Sequence, residues 1–193
     1  MSAHAIPRLS PEEYLRIERE AETKSEYDNG VMFAMSGGSL AHSSIAVRLI
    51  AAMTGQLDGK GCRVVGSDLR IQVARPGPYF YPDLSVVCGE PQLADDQKDM
   101  LLLNPVVIFE VLSKSTEAYD RGQKFAHYRR LESLRDYVLV SQGEPLMEVF
   151  SKGEAGTWTL TEFVGIEAVC RISSVGCEVA LAEAYRDVTF EAA

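Results

Sequence analysis

The chain has 193 residues, 46% of them hydrophobic, and a formal net charge of −9, so it is long enough to bury a core as one domain (1–193) and too acidic to grip a nucleic-acid duplex over a wide surface. No membrane span is expected, because the apolar stretch Leu101–Leu112 is short and broken by Asn104, Pro105 and Glu110, and Met1 to Arg8 lacks the apolar region of a secretory signal. The four cysteines, Cys62, Cys88, Cys170 and Cys177, form no C-x-x-C pair and read as reduced, structural thiols of a cytoplasmic protein.

Ser10-Pro11-Glu12-Glu13 is a capping box with proline at the first helical position, and Tyr14, Leu15 and Ile17 give the helix it opens part of an apolar face. Ser25 to Met35 reads as a hairpin turning at Asn29-Gly30 and broken by Ser36-Gly37-Gly38. A second helix is expected from Ser39 to about Leu57, with Ile45, Leu49, Met53 and Leu57 at helical spacing. Strands follow at Cys62–Gly66 and Asp68–Val73, the latter with Leu69, Ile71 and Val73 on one face; Arg75 to Pro78 is a turn. Tyr81-Pro82-Asp83 leads an apolar strand to Cys88, and residues 90 to 100 form a polar connection.

Pro105 to Leu112 is an apolar, β-branched strand whose one polar residue is Glu110, and alternation puts Val106, Ile108, Glu110 and Leu112 on one face. A helix from about Thr116 to Leu131 and a strand at Tyr137–Ser141 come next, an order that implies a parallel strand pair. Leu146–Phe150 and Thr157–Val164 suggest a hairpin, and a short helix is expected near Leu181–Tyr185. The architecture is α/β or α+β, a mixed central sheet with helices on both faces.

An ionised carboxylate inside a strand as apolar as that of Glu110 costs several kcal/mol unless a cation or strong donors compensate it. Asp83 stands at the mouth of the preceding strand, and Lys124 falls on the following helix. Two carboxylates and a lysine suffice for metal-dependent hydrolysis of a phosphodiester, in which a hard cation on oxygen ligands polarises the phosphate. The backbone carbonyl of Val111 suits a third ligand, and the expected ion is Mg²⁺ or Mn²⁺. No phosphate-cradling glycine loop and no organic cofactor motif is present.

The stretch Glu110-Val111-Leu112-Ser113-Lys114-Ser115-Thr116, then Asp120-Arg121-Gly122-Gln123-Lys124 with Tyr128 beyond, together with Pro82-Asp83, resembles the Uma-type restriction-endonuclease family, once a domain of unknown function, in the PD-(D/E)xK superfamily. Ser25 to Gly30 resembles its glutamate-bearing hairpin, and His42 falls where that family carries a histidine. The resemblance covers about Leu9 to Leu181 and implies a restriction-endonuclease-like fold, Glu26, Asp83 and Glu110 as metal-side acids, and Lys124 as the catalytic lysine. It also implies a homodimer and DNA as partner. The chain departs from the superfamily pattern two residues after Glu110, where the usual lysine is Leu112; Lys114 is the other candidate.

Each assignment has a structural rival. Glu110 could be bound to an arginine such as Arg70. Asp83 could cap a turn, and Glu26 could serve the hairpin alone. Lys124, four residues after Asp120, could form a surface ion pair. His42 could be a capping residue at a helix start, or contact phosphate. Arg121, Arg129 and Arg130 read either as a solvated basic face or as phosphate contacts. Two functions therefore stand: a metal-dependent endonuclease on DNA, and an inactive nuclease-fold protein working as a binding or assembly module, which the acidic charge and the missing in-strand lysine favour.

Overall fold

The computed structural model describes residues 8–35, 37–94 and 100–190, so Ser36, residues 95–99 of the polar connection, and residues 1–7 of the stretch read for a signal lie outside it. Helix α1 (Pro11–Glu20) forms as its capping box dictates: Glu13 N–H donates to Ser10 Oγ (3.2 Å) and Ser10 N–H donates back to Glu13 (2.8 Å). The hairpin of β1 (Ser25–Asp28) and β2 (Val31–Ala34) turns at Asn29-Gly30, both with positive φ. Tyr14 of α1 is fully buried on this hairpin, stacked on Tyr27 and Tyr79 at 5.0 and 5.4 Å.

Helix α2 (Leu40–Leu57) buries Ile45, Leu49, Met53 and Leu57, the stripe expected from their spacing. Strands β3 (Cys62–Gly66), β4 (Arg70–Gln72), β5 (Tyr79–Phe80), β6 (Leu84–Cys88), β7 (Leu101–Leu102), β8 (Val107–Val111), β9 (Asp136–Val140), β10 (Leu146–Lys152) and β11 (Trp158–Val164) follow. The expected mixed central sheet is present and is accompanied by a second large sheet. One is six-stranded and mixed, in the order β11-β10-β9-β8-β6-β3, and the other five-stranded, in the order β2-β1-β5-β4-β7. The N-terminal hairpin and β4 belong to the second, joined by the two-residue strand β5, with the two-residue strand β7 at the edge beyond β4; both are too short to show a pattern in sequence. As expected, β8 and β9 pair in parallel. A third ribbon, β12 (Val169–Ile172) with β13 (Cys177–Ala180), was not foreseen, and the short helix α5 (Leu181–Ala184) was.

The six-stranded sheet buries a different core on each face. One face packs Leu84, Val86, Val107, Phe109 and Val138 against α2, β13 and α5. The other packs Ile108, Leu112, Tyr137 and Leu139 with Phe80, Ile71 and Tyr128. Leu69, Ile71 and Val73 share this second cluster, as alternation predicts, but Val106 packs with the first, so it does not share the face of Glu110.

The helix expected over 116–131 is irregular: an α turn α3 (Glu117–Tyr119), a wider π turn (Asp120–Lys124) and an α turn α4 (Phe125–Tyr128). Such π turns concentrate at functional sites. The cysteine reading needs correction. Cys62 and Cys88, opposite one another on β3 and β6, form a disulfide, and only Cys170 and Cys177 remain free and buried. Register explains the bond, since it places the two Cα atoms 4.0 Å apart. The argument from reduced thiols to a cytoplasmic protein therefore fails for this pair. Among the described residues no helix is long and apolar enough to cross a membrane.

Candidate active site

Glu110 lies near the C-terminal end of β8, and β6 runs antiparallel beside it with Leu84 opposite Phe109. One residue before that pair, Asp83 accepts a hydrogen bond from Val111 N–H at Oδ2 (2.7 Å), which fixes its carboxylate beside Glu110. Glu26 is the second residue of β1 and accepts Tyr81 N–H at 2.9 Å. The π turn directs Asp120 and Lys124 inward.

Glu26, Glu110, Asp120 and Lys124 are only 8, 5, 4 and 4% exposed. Lys124 Nζ lies 2.9 Å from Glu26 Oε1, 2.9 Å from Glu110 Oε1 and 3.7 Å from Asp120 Oδ1. It also stands 5.6 Å from the centre of the Phe80 ring. Lys124 is therefore not a surface lysine paired with Asp120; it is the buried cation at the centre of three acids. The cation on Glu110 is Lys124, while the Arg70 guanidinium stands over the rings of Tyr14 and Tyr81 at 5.9 and 5.7 Å. Tyr128 donates its hydroxyl to Glu110 Oε1 (3.1 Å), and Tyr137 donates to the Asp120 carbonyl (3.0 Å).

Burial pulls the Lys124 ammonium down, but Glu110, Glu26 and Asp120 outweigh it and hold its pKa well above the ordinary lysine value. Lys124 is thus a fixed positive charge. Burial pushes Glu110 well above the usual carboxylate range against the pull of Lys124, with Asp120, Asp83 and Glu26 adding to the rise. Asp120 is raised for the same first reason. The site holds more carboxylate than it has cations to balance.

His42, in the first turn of α2, bonds Asp83 Oδ1 through Nε2 at 2.7 Å. That hydrogen bond raises its pKa against the effect of burial. Ser39 caps α2 by accepting His42 N–H, so the histidine side chain serves Asp83 rather than the cap. Arg121 is not free to meet a phosphate as it stands, since it bridges Glu117 (2.8 Å) and Glu148. Lys114 is exposed in the loop after β8 and does not join the cluster; Arg129 and Arg130 are exposed. The basic run of 121–135 is therefore divided between interior and surface instead of forming one face.

Three features escaped sequence reading. Gln142 reaches in from the β9–β10 loop, donating to the Leu112 carbonyl (2.6 Å) and bonding Ser39 (2.5 Å), and no local pattern marks it. Asp120 was visible only as a partner of Lys124. Asp28 has Gln123 Nε2 (2.6 Å) and Tyr119 OH (3.2 Å) as donors, with His127 Nε2 at 3.1 Å. Its place two residues after Glu26 on the same strand face was the available signal.

Comparison with known proteins agrees with this architecture. The Uma2 family model, described as "Putative restriction endonuclease", matches residues 11–181. An "Uncharacterized protein slr1290" of Synechocystis sp. (strain ATCC 27184 / PCC 6803 / Kazusa) is 39% identical over 98% of this chain and 100% of its own. A second Synechocystis protein, "Uncharacterized protein sll1609", is 33% identical over 86% of this chain and 93% of its own. The fold is similar to the crystal structure of "a putative nuclease belonging to DUF820" from Anabaena variabilis ATCC 29413, with a TM-score of 0.75 at 17% identity, covering 92% of this chain and 98% of that one. The match along residues 11–181 places this chain in the Uma2 family of restriction-endonuclease-like proteins.

Proposed function

We propose that the chain is a Mg²⁺- or Mn²⁺-dependent endonuclease that hydrolyses phosphodiester bonds of DNA. The observation that carries this reading is the set of buried acids gathered round Lys124, which lies 2.9 Å from both Glu26 and Glu110. Burying ions costs several kcal/mol each, and that expense is usual where chemistry needs them.

Among the described residues no three His, Cys, Asp or Glu side chains form a group that could hold a metal ion by themselves. Magnesium, however, is typically held by one or two carboxylates and keeps several waters. Asp83 and Glu110, with the Val111 carbonyl, fit that pattern in donor chemistry, and the excess of carboxylate favours a divalent cation. When bound, the ion would polarise the scissile phosphate and lower the pKa of a water.

The remaining work falls to the chain's own groups. Lys124, held protonated, offers N–H donors and positive charge to an oxygen gaining negative charge in the transition state. Glu26 and Asp120 keep the ammonium in place. Tyr128 orients Glu110 by its hydrogen bond, and Val111 N–H and His42 orient Asp83 from its two oxygens. The same reading includes a homodimer, supported by the exposed edge strand β11 with Leu160 and Val164 at the surface.

The test joins calorimetry with cleavage. Mn²⁺ titrated into the unmodified chain should bind, and Asp83→Asn should weaken the binding. Nicking of supercoiled DNA with Mg²⁺ or Mn²⁺ should fall at least about 100-fold in Glu110→Gln. Wild-type cleavage by Glu110→Gln, with full metal dependence kept, would refute the site. The second reading, a metal-free binding module, is favoured by Lys124 standing between Glu26 and Glu110 where a cation is wanted. It predicts no Mn²⁺ heat and no Mn²⁺ rise in melting temperature.

A further inference from the structure

Two clefts share Arg130 in their walls, and the first reaches Asp28 and Gln123, neighbours of the site residues Glu26 and Lys124. The first, about 580 Å³, is bounded by the end of β1, the 76–78 turn and the 117–128 helix, and Arg8 stands on its rim. The second, about 880 Å³, runs past the end of β4 with Arg75 on its wall. Both lie in the range of ligand sites, roughly 300–1,000 Å³. Arg130 lines both, so three exposed arginines, Arg8, Arg130 and Arg75, follow one another along adjoining clefts of an otherwise acidic protein.

The first cleft is a built structure. Leu9 N–H donates to the Gly30 carbonyl (3.0 Å) and Tyr27 OH donates to the Leu9 carbonyl (2.8 Å), which pins the chain carrying Arg8 over the β1–β2 turn. Gly77, with φ +57, passes so close to Tyr79 and Tyr27 that a Cβ would meet their rings at 3.1 and 3.3 Å. Asp28, 2% exposed, lies in its wall with Gln123 and His127. Asp28 Oδ1 and His127 Nδ1 hold no hydrogen bond among the described residues, although His127 Nε2 lies 3.1 Å from that oxygen. Asp28 Oδ1 thus has His127 as its partner, and with Tyr119 and Gln123 on its other oxygen the wall of this cleft is a connected polar network.

Position links this cleft to the chemistry. Gln123 adjoins Lys124 in sequence, and Asp28 follows Glu26 by one side-chain step along β1, about 7 Å. The arginines are strung along the clefts and do not converge on one point, which suits the repeated charge of a polymer better than a single anion. Two carboxylates also line the clefts: Asp28 is turned to Tyr119, Gln123 and His127, and Glu132 lines the second close to Arg130 in the chain.

We infer that the two clefts form a track for one strand of a polynucleotide, its phosphates paired by Arg8, Arg130 and Arg75 as it leads to the Glu26–Lys124 site. The inference rests on the nuclease reading and adds the surface that delivers the substrate. Guanidinium groups suit it because they pair with phosphate in a fixed fork.

The experiment is fluorescence anisotropy with a labelled 15-nucleotide single strand of DNA, in chelator and low salt so that no cleavage intrudes. The triple variant Arg8→Ala/Arg75→Ala/Arg130→Ala should bind at least about 10-fold more weakly, with a salt dependence shallower by about two, as expected for three lost phosphate contacts. A control that removes the same charge elsewhere, Arg16→Ala/Arg63→Ala/Arg171→Ala, should bind within about twofold of the unmodified chain. Equal weakening in both triples overturns the track, and so does no weakening in either or no binding of DNA or RNA by the unmodified chain. A matched RNA strand should bind within a few-fold of DNA, because the contacts are to phosphate. RNA binding alone would keep the track and overturn the DNA reading, whereas the Mn²⁺ titration judges the metal site independently.

Discussion

The two faces of the six-stranded sheet are built on different terms. On one, α2, the β12–β13 ribbon and α5 cover an aliphatic core with a regular helix of 18 residues. On the other, the 117–128 helix widens into a π turn and buries Asp120 and Lys124 against Glu110, among tyrosines whose hydroxyls are all engaged near the site. The first face is stabilised by removing apolar surface from water, about 25 cal/mol per Å², and needs no particular polar geometry. The second spends stability on buried charge. Two acids sharpen the contrast. Asp136, at the start of β9, is as buried as Glu110, but it is satisfied by the hydroxyls of Ser151 (2.5 Å) and Ser174 and ties β9 to its neighbours. Glu110 is held instead by a lysine and a tyrosine, groups that can serve a reaction.

The largest effect that would break this comparison comes from removing the central cation. Lys124→Ala leaves Glu26, Glu110 and Asp120 facing one another and should cost about 3–5 kcal/mol in urea unfolding. A loss below about 1 kcal/mol would mean that the acids are not charged partners. On the aliphatic face, Leu49→Ala should cost about 2–5 kcal/mol and yet leave the Mn²⁺ heat per folded molecule unchanged. Loss of that heat in folded Leu49→Ala would show that the faces are not independent.

Reduction of Cys62–Cys88, a bond spanning 26 residues between strands of the six-stranded sheet, should lower stability by about 2–4 kcal/mol. A melting temperature unmoved by reductant would count against a stabilising role for the bond.

The smallest effect is titratable. His42 has its pKa raised above 6.5 by its hydrogen bond to Asp83. Its contribution is therefore fully present below pH 6.5 and is lost as pH rises through the folded-state pKa. With the side chain 23% exposed, about 1 kcal/mol is expected. His42→Gln should flatten the stability profile in that window, and an unchanged slope would show that another group titrates there.

Much of this was legible in order along the chain. The capping box at Ser10, the Asn29-Gly30 turn, the Ile45–Leu57 stripe and the β-branched run around Glu110 are local signals, and each folds as local physics directs. The candidate site was legible as a list, because a carboxylate in an apolar strand stands out whatever surrounds it. Its arrangement was not. Lys124 and a surface lysine look alike in sequence, since spacing from Asp120 is the same in both cases.

What the sequence alone determined is the set of elements and the residues that carry charge into the core, since capping, turn chemistry and hydrophobic period act over a few neighbours. Only the tertiary structure decided which partner each charge has, that the strands divide into two main sheets, that Cys62 meets Cys88, and that Gln142 joins Ser39 and Leu112. Those outcomes depend on strand register and on contacts between residues far apart in the chain, and no short-range pattern records them.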